Sequence, residues 1–141
     1  MNVALCEAAP EDRERVRRLL ADYLFEFDGR TEPYPNFDAY WHEPERIPFL
    51  IEDQGEVAGL CLVRRRGDGW EIAEFAIVPE RRRGGVGRAA VKALAELARA
   101  EGAKHLTAKV HPDNTRALPF WLAAGFREIE ASGSIVTRLE L

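Results

Sequence analysis

The sequence predicts an α+β fold with a mixed central β-sheet of about six or seven strands and about four helices. Three observations support this prediction. Short apolar segments of strand length alternate with longer segments that have helical periodicity. Between residues 70 and 110, a strand, a Gly-rich loop, a helix and a second strand follow one another, which predicts two parallel strands joined by a helix. The chain then finishes with a helix and two strands around a Ser-Gly turn.

The first half of the chain has the patterns of four strands and one helix. The predicted elements are a strand over Asn2–Glu7, an amphipathic helix from Pro10 to about Gly29, a hairpin of Phe49–Glu52 and Val57–Val63, and a strand over Trp70–Val78. Prolines and aromatic residues are frequent in residues 30–48. They predict a loop that contains at most a short helix around Phe37–His42.

The second half has the patterns of two helices and three strands. The predicted elements are a helix that follows the Gly-rich loop and stops at Gly102, a strand over His105–Val110, a helix from its candidate N-cap Asp113 to about Ala124, and closing strands over Phe126–Glu130 and Ile135–Leu139. No repeat or low-complexity linker interrupts these elements.

Length and composition favour a single domain over residues 1–141. The formal charge of −4 provides no overall basic field, so we expect no nucleic-acid partner. No apolar run approaches the roughly 20 residues of a membrane helix, and the amino terminus has no secretory pattern. These features predict a cytoplasmic protein with no membrane partner. Cys6 and Cys61 have neither metal-ligand nor disulfide spacing, so no metal is expected. The oligomeric state stays open, and a homodimer is compatible with the sequence.

The loop over Arg82–Gly87 has the composition of an anion-binding site. Its glycines let backbone N–H groups approach a phosphate, and the following helix adds positive potential at its amino terminus. A Walker P-loop is excluded, because Arg88 and Ala89 stand where Lys and Ser or Thr are required. A dinucleotide-binding motif is formally present as Gly85-x-Gly87-x-x-Ala90, but it comes late in the chain and in a lone βαβ unit. A tight turn with solvated arginines is the simplest alternative.

Two segments resemble the conserved motifs of the GNAT acetyltransferase superfamily. Val78-Pro79 followed by Arg82-x-x-Gly85-x-Gly87 is similar to its acyl-CoA-binding motif. Asn114-x-x-Ala117-x-x-Phe120-Trp121 with Gly125-Phe126 is similar to its second conserved segment. The resemblance extends over about residues 70–127. It implies that the two central parallel strands, Trp70–Val78 and His105–Val110, splay apart and hold a thioester in the gap.

The resemblance also implies a cosubstrate, acetyl-CoA, and the residues that bind it. The backbone amides of Arg83, Gly84, Gly85, Val86, Gly87 and Arg88 would bind its pyrophosphate. The side chains of Arg82, Arg83 and Arg88 would attract its phosphates. The main chain of Ala76, Ile77 and Val78 would pair with the pantetheine arm. Asn114 would bond or orient that arm, and Trp121 would lie close to the sulfur.

The implied reaction is transfer of the acetyl group to a primary amine by direct attack through a tetrahedral intermediate. Because an alkylammonium has a pKa near ~10.4, a carboxylate is useful as a base at neutral pH. Glu71 and Glu74 are the candidates. Strand alternation places them on opposite faces unless a bulge intervenes. Phe75 and Ile77 have a core-facing pattern, so we favour Glu74, on the opposite face, as the base.

The general acid is left open by the sequence. Trp121 stands where the superfamily often has a tyrosine, and an indole N–H is no acid at neutral pH; a packing role is the simpler interpretation. Water, or a phenol from Tyr23, Tyr34 or Tyr40, is the remaining source. The acceptor is a small-molecule or peptide amine, and aromatic and acidic residues around 26–41 suggest a cationic one. The alternative function is a non-catalytic acyl-CoA-binding sensor.

Overall fold

A computed structural model describes residues 2–141, which form seven strands and three α-helices. In chain order, the elements are β1 Val3–Glu7, α1 Arg13–Asp28, β2 Arg46–Asp53, β3 Glu56–Arg66, β4 Gly69–Ile77, α2 Val86–Ala100, β5 His105–Val110, α3 Ala117–Ala123, β6 Arg127–Ser132 and β7 Ser134–Glu140. Within residues 2–141, no helix is both long and apolar enough to cross a membrane.

The number of α-helices is one fewer than predicted, and the difference lies around residue 40. The predicted helix at Phe37–His42 is a 3-10 helix over Phe37–Trp41. Its turns close by i→i−3 bonds such as His42 N–H to the Ala39 carbonyl at 3.1 Å. The reason is local, because Pro44 disfavours helical backbone at the residue before it, and helical segments this short commonly adopt the tighter 3-10 form.

All seven strands belong to one mixed sheet, in the order β1-β2-β3-β4-β5-β7-β6. The neighbours β4 and β5 are parallel, and every other neighbouring pair is antiparallel. The parallel pair is joined by α2, as the strand–loop–helix–strand pattern predicted. Because β7 inserts between β5 and β6, the final hairpin extends the sheet from β5, and β6 forms its exposed edge.

Helices cover both faces of the sheet and create two separate apolar clusters. One cluster lies between the sheet and α2 with α3, and α2 contributes buried residues at helical spacing: Val86, Ala90, Val91, Leu94, Ala95 and Ala98. The other lies under α1 and the 3-10 helix, and it includes Val16, Leu20, Leu24, Phe37 and Tyr40. Burial of each large apolar side chain contributes about 1.5–3 kcal/mol. The faces of β4 therefore look onto two different clusters.

Strands β4 and β5 pair only at their beginnings and then separate. Parallel pairing is limited to Trp70, Glu71 and Ile72, opposite residues 106–108 of β5. Next to this point, the β3–β4 register shifts: Val63 lies opposite Ile72, whereas Leu62 lies opposite Glu74. Ala73 is therefore an extra residue, and it forms a β-bulge in β4. Beyond it the two strands continue without pairing, which confirms the predicted splay.

The segment between α1 and β2 is held against α1 by cation–π and hydrogen-bond contacts. The guanidinium of Arg13 lies 5.4 Å from the Trp41 ring, and that of Arg17 lies 4.7 Å from the Phe37 ring. The indole N–H of Trp41 also donates to the Ala8 carbonyl at 3.1 Å. This segment is thus fixed at its carboxyl end beside the face of β4 that looks toward α1.

We expect Gly59→Ala to destabilise the fold, because a Cβ at residue 59 of β3 would overlap the carbonyl oxygen of Ala76 in β4. Relieving the overlap requires the two strands to move apart, at a cost of about 1–3 kcal/mol in the free energy of unfolding. Urea denaturation measures the loss. Gly84→Ala is the matched control, since an added Cβ there meets nothing within 4 Å. Equal stability of the two variants would show that β3 and β4 are not tightly spaced at this point.

Candidate active site

The loop between β4 and α2 presents a row of unpaired backbone donors. The N–H groups of residues 83–88 donate no hydrogen bond within residues 2–141, and the first bond of the helix start is Ala89 N–H to the Gly85 carbonyl at 3.0 Å. Arg83 (φ 67°) and Gly85 (φ 85°) both adopt left-handed backbone conformations, which turns successive amides toward a common side. Together with the amino terminus of α2, this arrangement suits a phosphate group.

Two of the loop's arginine side chains are already engaged by the protein. Arg82 donates through Nε to the Ile77 carbonyl at 2.8 Å and through both terminal nitrogens to the Glu26 carboxylate at 2.7 Å. The hydrogen bond from Arg82 lowers the pKa of Glu26. Arg88 donates to the Ala123 carbonyl at the end of α3 at 2.9 Å. Of the three arginines predicted to attract phosphates, Arg83 alone makes no hydrogen bond or ion pair within residues 2–141.

The backbone of β4 turns alternately toward β3 and toward the gap. Val78 N–H donates to the Ala58 carbonyl at 2.8 Å, and the carbonyl of Ala76 lies against Gly59, so both residues direct polar groups to β3. Alternation then directs those of Ile77 to the gap. Of the Ala76–Val78 segment predicted to pair with pantetheine, only Ile77 faces the gap, and its carbonyl already accepts from Arg82.

Glu74 lies in the part of β4 that pairs with β3 but no longer with β5, on the face that looks toward α1. As predicted, Phe75 and Ile77 pack on the opposite side, against the cluster under α2. The expectation that Glu71 and Glu74 lie on opposite faces is wrong, because the bulge at Ala73 interrupts strand alternation and places both on the same face. Glu71 is nearer the strand start, with a side chain 25% exposed and an ion pair to Arg66 at 3.4 Å.

The carboxylate of Glu74 is half-buried, and its environment opposes its charge. Burial raises the pKa of Glu74, while a hydrogen bond from Tyr34 and the positive charge of Arg30 partly offset that effect. The Tyr34 hydroxyl donates to Glu74 Oε2 at 3.0 Å. Burial, with the nearby Glu74 charge, raises the pKa of both the Tyr34 and Tyr23 phenols. The group has the features of a proton-transfer site: a perturbed carboxyl next to an open gap.

Asn114 and Trp121, predicted to lie at the pantetheine arm and the sulfur, both make contacts within the protein. The side-chain oxygen of Asn114 accepts from the N–H of Ala117, the first residue of α3, at 3.1 Å. The predicted N-cap at Asp113 is wrong, because α3 begins later and its N-cap residue is Arg116. Trp121 is 6% exposed. Its ring lies at centroid distances of 5.3, 5.0 and 4.9 Å from the rings of Phe75, Phe120 and Phe126. Trp121 is thus part of the core beneath β4, on the face opposite Glu74.

A cavity of about 340 Å³ lies between α1 and the ends of β3 and β4. Its floor is apolar, with Leu60 and Ala76, and Tyr23, Glu26 and Arg82 line its wall. The Arg82–Glu26 ion pair therefore joins the wall of this cavity to the amide loop. The sequence offered no sign of that pair, because the two residues are 56 positions apart. Arg30, whose charge acts on Glu74, was missed for the same reason.

No group of three or more His, Cys, Asp or Glu side chains within residues 2–141 is arranged to hold a metal ion. The features that suggest a chemistry are the amide loop, the gap in the sheet and the Glu74 carboxyl. These three features lie along β4 and its continuation into α2.

Comparison with known proteins gives a consistent result. The family model described as "Acetyltransferase (GNAT) family" matches residues 13–126. A Bacillus subtilis (strain 168) protein, named as a candidate ribosomal protein bS18-alanine N-acetyltransferase, is 28% identical over 99 residues. The aligned region is 66% of this chain and 65% of that protein, so slightly less than two thirds of the relative's length is covered.

Solved structures share the fold at low sequence identity. The PaiA N-acetyltransferase of Thermoplasma acidophilum, in complex with coenzyme A, has a TM-score of 0.80 at 10% identity, covering 100% of both chains. The ribosomal-protein-S18-alanine N-acetyltransferase of Escherichia coli has a TM-score of 0.75 at 16% identity, covering 99% of this chain and 94% of that one. Ard1 of Thermoplasma volcanium has a TM-score of 0.77 at 23% identity, covering 100% and 99%. At these identities the likeness concerns the fold.

We expect the stability of Glu74→Gln, relative to the parent, to increase with pH. The pKa of Glu74 is higher in the folded than in the unfolded chain, so its contribution to stability is complete at low pH and is lost as the pH rises through the folded pKa. Glutamine does not titrate, so the stability of the variant relative to the parent should increase as the pH rises from the ordinary pKa of a glutamate, about 4.3, through the folded pKa of Glu74. Denaturant unfolding across this range measures it, with Glu71→Gln as the control for loss of one charge from β4. A constant difference between Glu74→Gln and the parent would contradict the assignment.

Proposed function

Because the chain belongs to the GNAT acetyltransferase family, we propose that it transfers the acetyl group of acetyl-CoA to a primary amine by direct attack through a tetrahedral intermediate. One observation supports this proposal above the others. Strand β4 leads into the loop whose backbone N–H groups at residues 83–88 are unpaired. Where β4 no longer pairs with β5, it carries the half-buried carboxyl of Glu74 beside the gap. The proposed anion-binding amides and the proposed base, Glu74, are therefore held at a fixed distance from each other by β4.

The residues of the loop fit the phosphates of acetyl-CoA, which supplies the acetyl group as a thioester. The consecutive N–H groups of residues 83–88 are free to bind the pyrophosphate oxygens, and the start of α2 adds positive potential. The Arg83 guanidinium is free to add charge attraction. The N–H of Ile77 faces the gap and is a donor for the pantetheine arm, which adds to the open edge as a further strand would.

Glu74 is the proposed base that removes a proton from the acceptor ammonium. Neutralising an amine with a pKa near ~10.4 at pH 7 costs about 4–5 kcal/mol. A carboxylate whose pKa is raised by burial binds a proton more strongly than an exposed one does, which suits a general base. Its place beyond the bulge puts it next to the gap, where the amine must meet the thioester.

The leaving group needs little help from the protein. A thiol has a pKa near ~8.5, so a thiolate is a stable leaving group and can take its proton from solvent. The Tyr34 and Tyr23 phenols are poor acids here, because burial and the Glu74 charge raise the pKa of each. The full reaction converts an alkylammonium and an acetyl thioester into an amide, a thiol and one released proton.

The surroundings of Glu74 favour an acceptor that carries a positive charge when free in solution. Two half-buried phenols, Tyr23 and Tyr34, lie near the carboxyl, and their rings are suited to contact with an ammonium group. The ring of Tyr40 is buried and already contacts the Arg46 guanidinium. Both a small-molecule amine and a peptide amino terminus meet this description. The name of the Bacillus subtilis relative refers to an alanine substrate on a ribosomal protein, so peptides that begin with alanine belong in any acceptor screen.

We expect Gly84→Glu to weaken acetyl-CoA binding by about tenfold or more, because it adds a carboxylate beside the free amides. Residue 84 is the best site for this test, since an added side chain meets nothing within 4 Å. Glycines 85 and 87 are less suitable: Gly85 has φ 85°, and a Cβ at Gly87 would lie 3.0 Å from the Phe120 ring. Gly84→Gln is the neutral control of the same size. Equal affinities by calorimetry would argue against a phosphate at this loop.

We expect Glu74→Gln to lower kcat/KM at neutral pH by about 10²–10⁴-fold while leaving acetyl-CoA affinity nearly unchanged. Activity should partly recover at high pH, where more of the amine is already neutral. Thiol release, measured with a panel of alkyl amines and alanine-initiated peptides, provides the pH–rate profile. Glu71→Gln is tested beside it, because both carboxyls lie on one face. A full-rate Glu74→Gln with a crippled Glu71→Gln would identify Glu71 as the base, and acetyl-CoA binding without thiol release from any amine would favour a sensor.

A further inference from the structure

A hydrogen bond joins the segment between α1 and β2 to the middle of the central sheet. The hydroxyl of Tyr34 donates to Glu74 Oε2 at 3.0 Å, across 40 positions of sequence. Both partners are half-buried. Trp41 and Phe37, which follow Tyr34 in the chain, are clamped to α1 by Arg13 and Arg17. Tyr34 therefore approaches Glu74 from a segment whose position does not depend on this hydrogen bond.

Tyr34 differs from the other groups that face Glu74. Two other phenols lie near the carboxyl, Tyr23 on α1 and Tyr40 on the 3-10 helix. The residue opposite Glu74 on β3 is the apolar Leu62. Arg30, at the end of α1, acts through its charge, while its guanidinium is bonded to Asp28. Among these groups, Tyr34 alone donates a hydrogen bond to the carboxyl within residues 2–141.

We propose that Tyr34 is a positioning residue, whose hydroxyl holds the Glu74 carboxylate in its charged form for removal of the acceptor's proton. This inference rests on the proposed role of Glu74 as the base. A carboxyl that loses contact with water retains its proton unless a donor stabilises the charged form. The Tyr34 hydroxyl is such a donor. Its hydrogen bond replaces part of the hydration that Glu74 loses under α1.

The chemistry of the phenol suits this role and excludes the opposite one. Burial, with the Glu74 charge, raises the pKa of Tyr34, so the hydroxyl keeps its proton over the whole range in which Glu74 titrates. It remains a donor throughout. For the same reason Tyr34 is a poor general acid toward a thiolate, since its proton is committed to Glu74 at 3.0 Å. A carboxylate bonded at one oxygen also keeps its other oxygen, Oε1, free for the amine.

The deciding experiment is a carboxyl titration that needs no substrate. Protein labelled with ¹³C at the side-chain carboxyls of glutamate is titrated by NMR, and the Glu74 signal is assigned by its absence from Glu74→Gln. Tyr34→Phe should move the midpoint of that signal upward by about one pH unit, because a hydrogen bond to a charged group contributes about that much. Tyr40→Phe is the matched control: it removes a nearby buried hydroxyl that makes no hydrogen bond within residues 2–141, and it should leave the midpoint close to the parental one.

Kinetics with the most active amine of the panel provide the second readout. In Tyr34→Phe, the acid limb of the kcat/KM profile should move upward by the same amount, while the rate on the alkaline plateau stays within about threefold of the parent. Retained folding and acetyl-CoA affinity are checked by circular dichroism and calorimetry. An unmoved midpoint, or a loss of rate that is equal at every pH, would overturn the proposal.

The two proposals fail in different ways. If Glu74→Gln keeps the parental profile, the base has been assigned wrongly, and the titration still shows whether Tyr34 holds the carboxyl in its charged form. If Glu74→Gln is crippled while the midpoint in Tyr34→Phe stays in place, Glu74 acts as the base without help from Tyr34. A crippled Glu74→Gln with a raised midpoint in Tyr34→Phe supports both.

Discussion

The extra residue at Ala73 is the constraint on which the rest of the site depends. A regular strand would keep β4 paired with β5 and would place residues 71 and 74 on opposite faces. With one residue inserted, pairing between β4 and β5 ends at Ile72, and Glu74 lies on the face beneath α1. The open edge that follows leaves backbone donors without partners inside the sheet, a condition that proteins tolerate where a ligand can satisfy them.

Long-range polar contacts connect the two sides of this opened strand. Arg82 joins the Ile77 carbonyl to Glu26 of α1, and Tyr34 joins the segment after α1 to Glu74. Both contacts link the covering helix region to β4, one at the amide loop and one at the carboxyl. Because burial makes an unpaired carboxylate costly, the partner of Glu74 affects its protonation as well as its position. The proposed binding loop and the proposed base are therefore connected through the same strand.

Much of the fold was predictable because its determinants are local. Turn-forming residues bracket the β2–β3 hairpin, and helical periodicity marks α1 and α2, so the predicted elements lie close to the observed ones. Strand β4, predicted over Trp70–Val78, is observed over Gly69–Ile77. The orientation of Glu74 was predictable from the core pattern of Phe75 and Ile77. The type of the helix at Phe37–Trp41 was less predictable, because a sequence pattern of that length does not distinguish a 3-10 helix from an α-helix.

The local sequence was enough to predict the Gly-rich loop, its place between a parallel strand and a helix, and Glu71 and Glu74 as the candidate bases. These properties follow from the allowed backbone angles of glycine and from periods of apolar residues, which neighbours in the chain decide. The tertiary structure decided that Glu71 and Glu74 share a face, that Arg82 is paired with Glu26, and that Tyr34 reaches Glu74. Each of those depends on packing between elements that are distant in the chain, and no local propensity encodes such a distance.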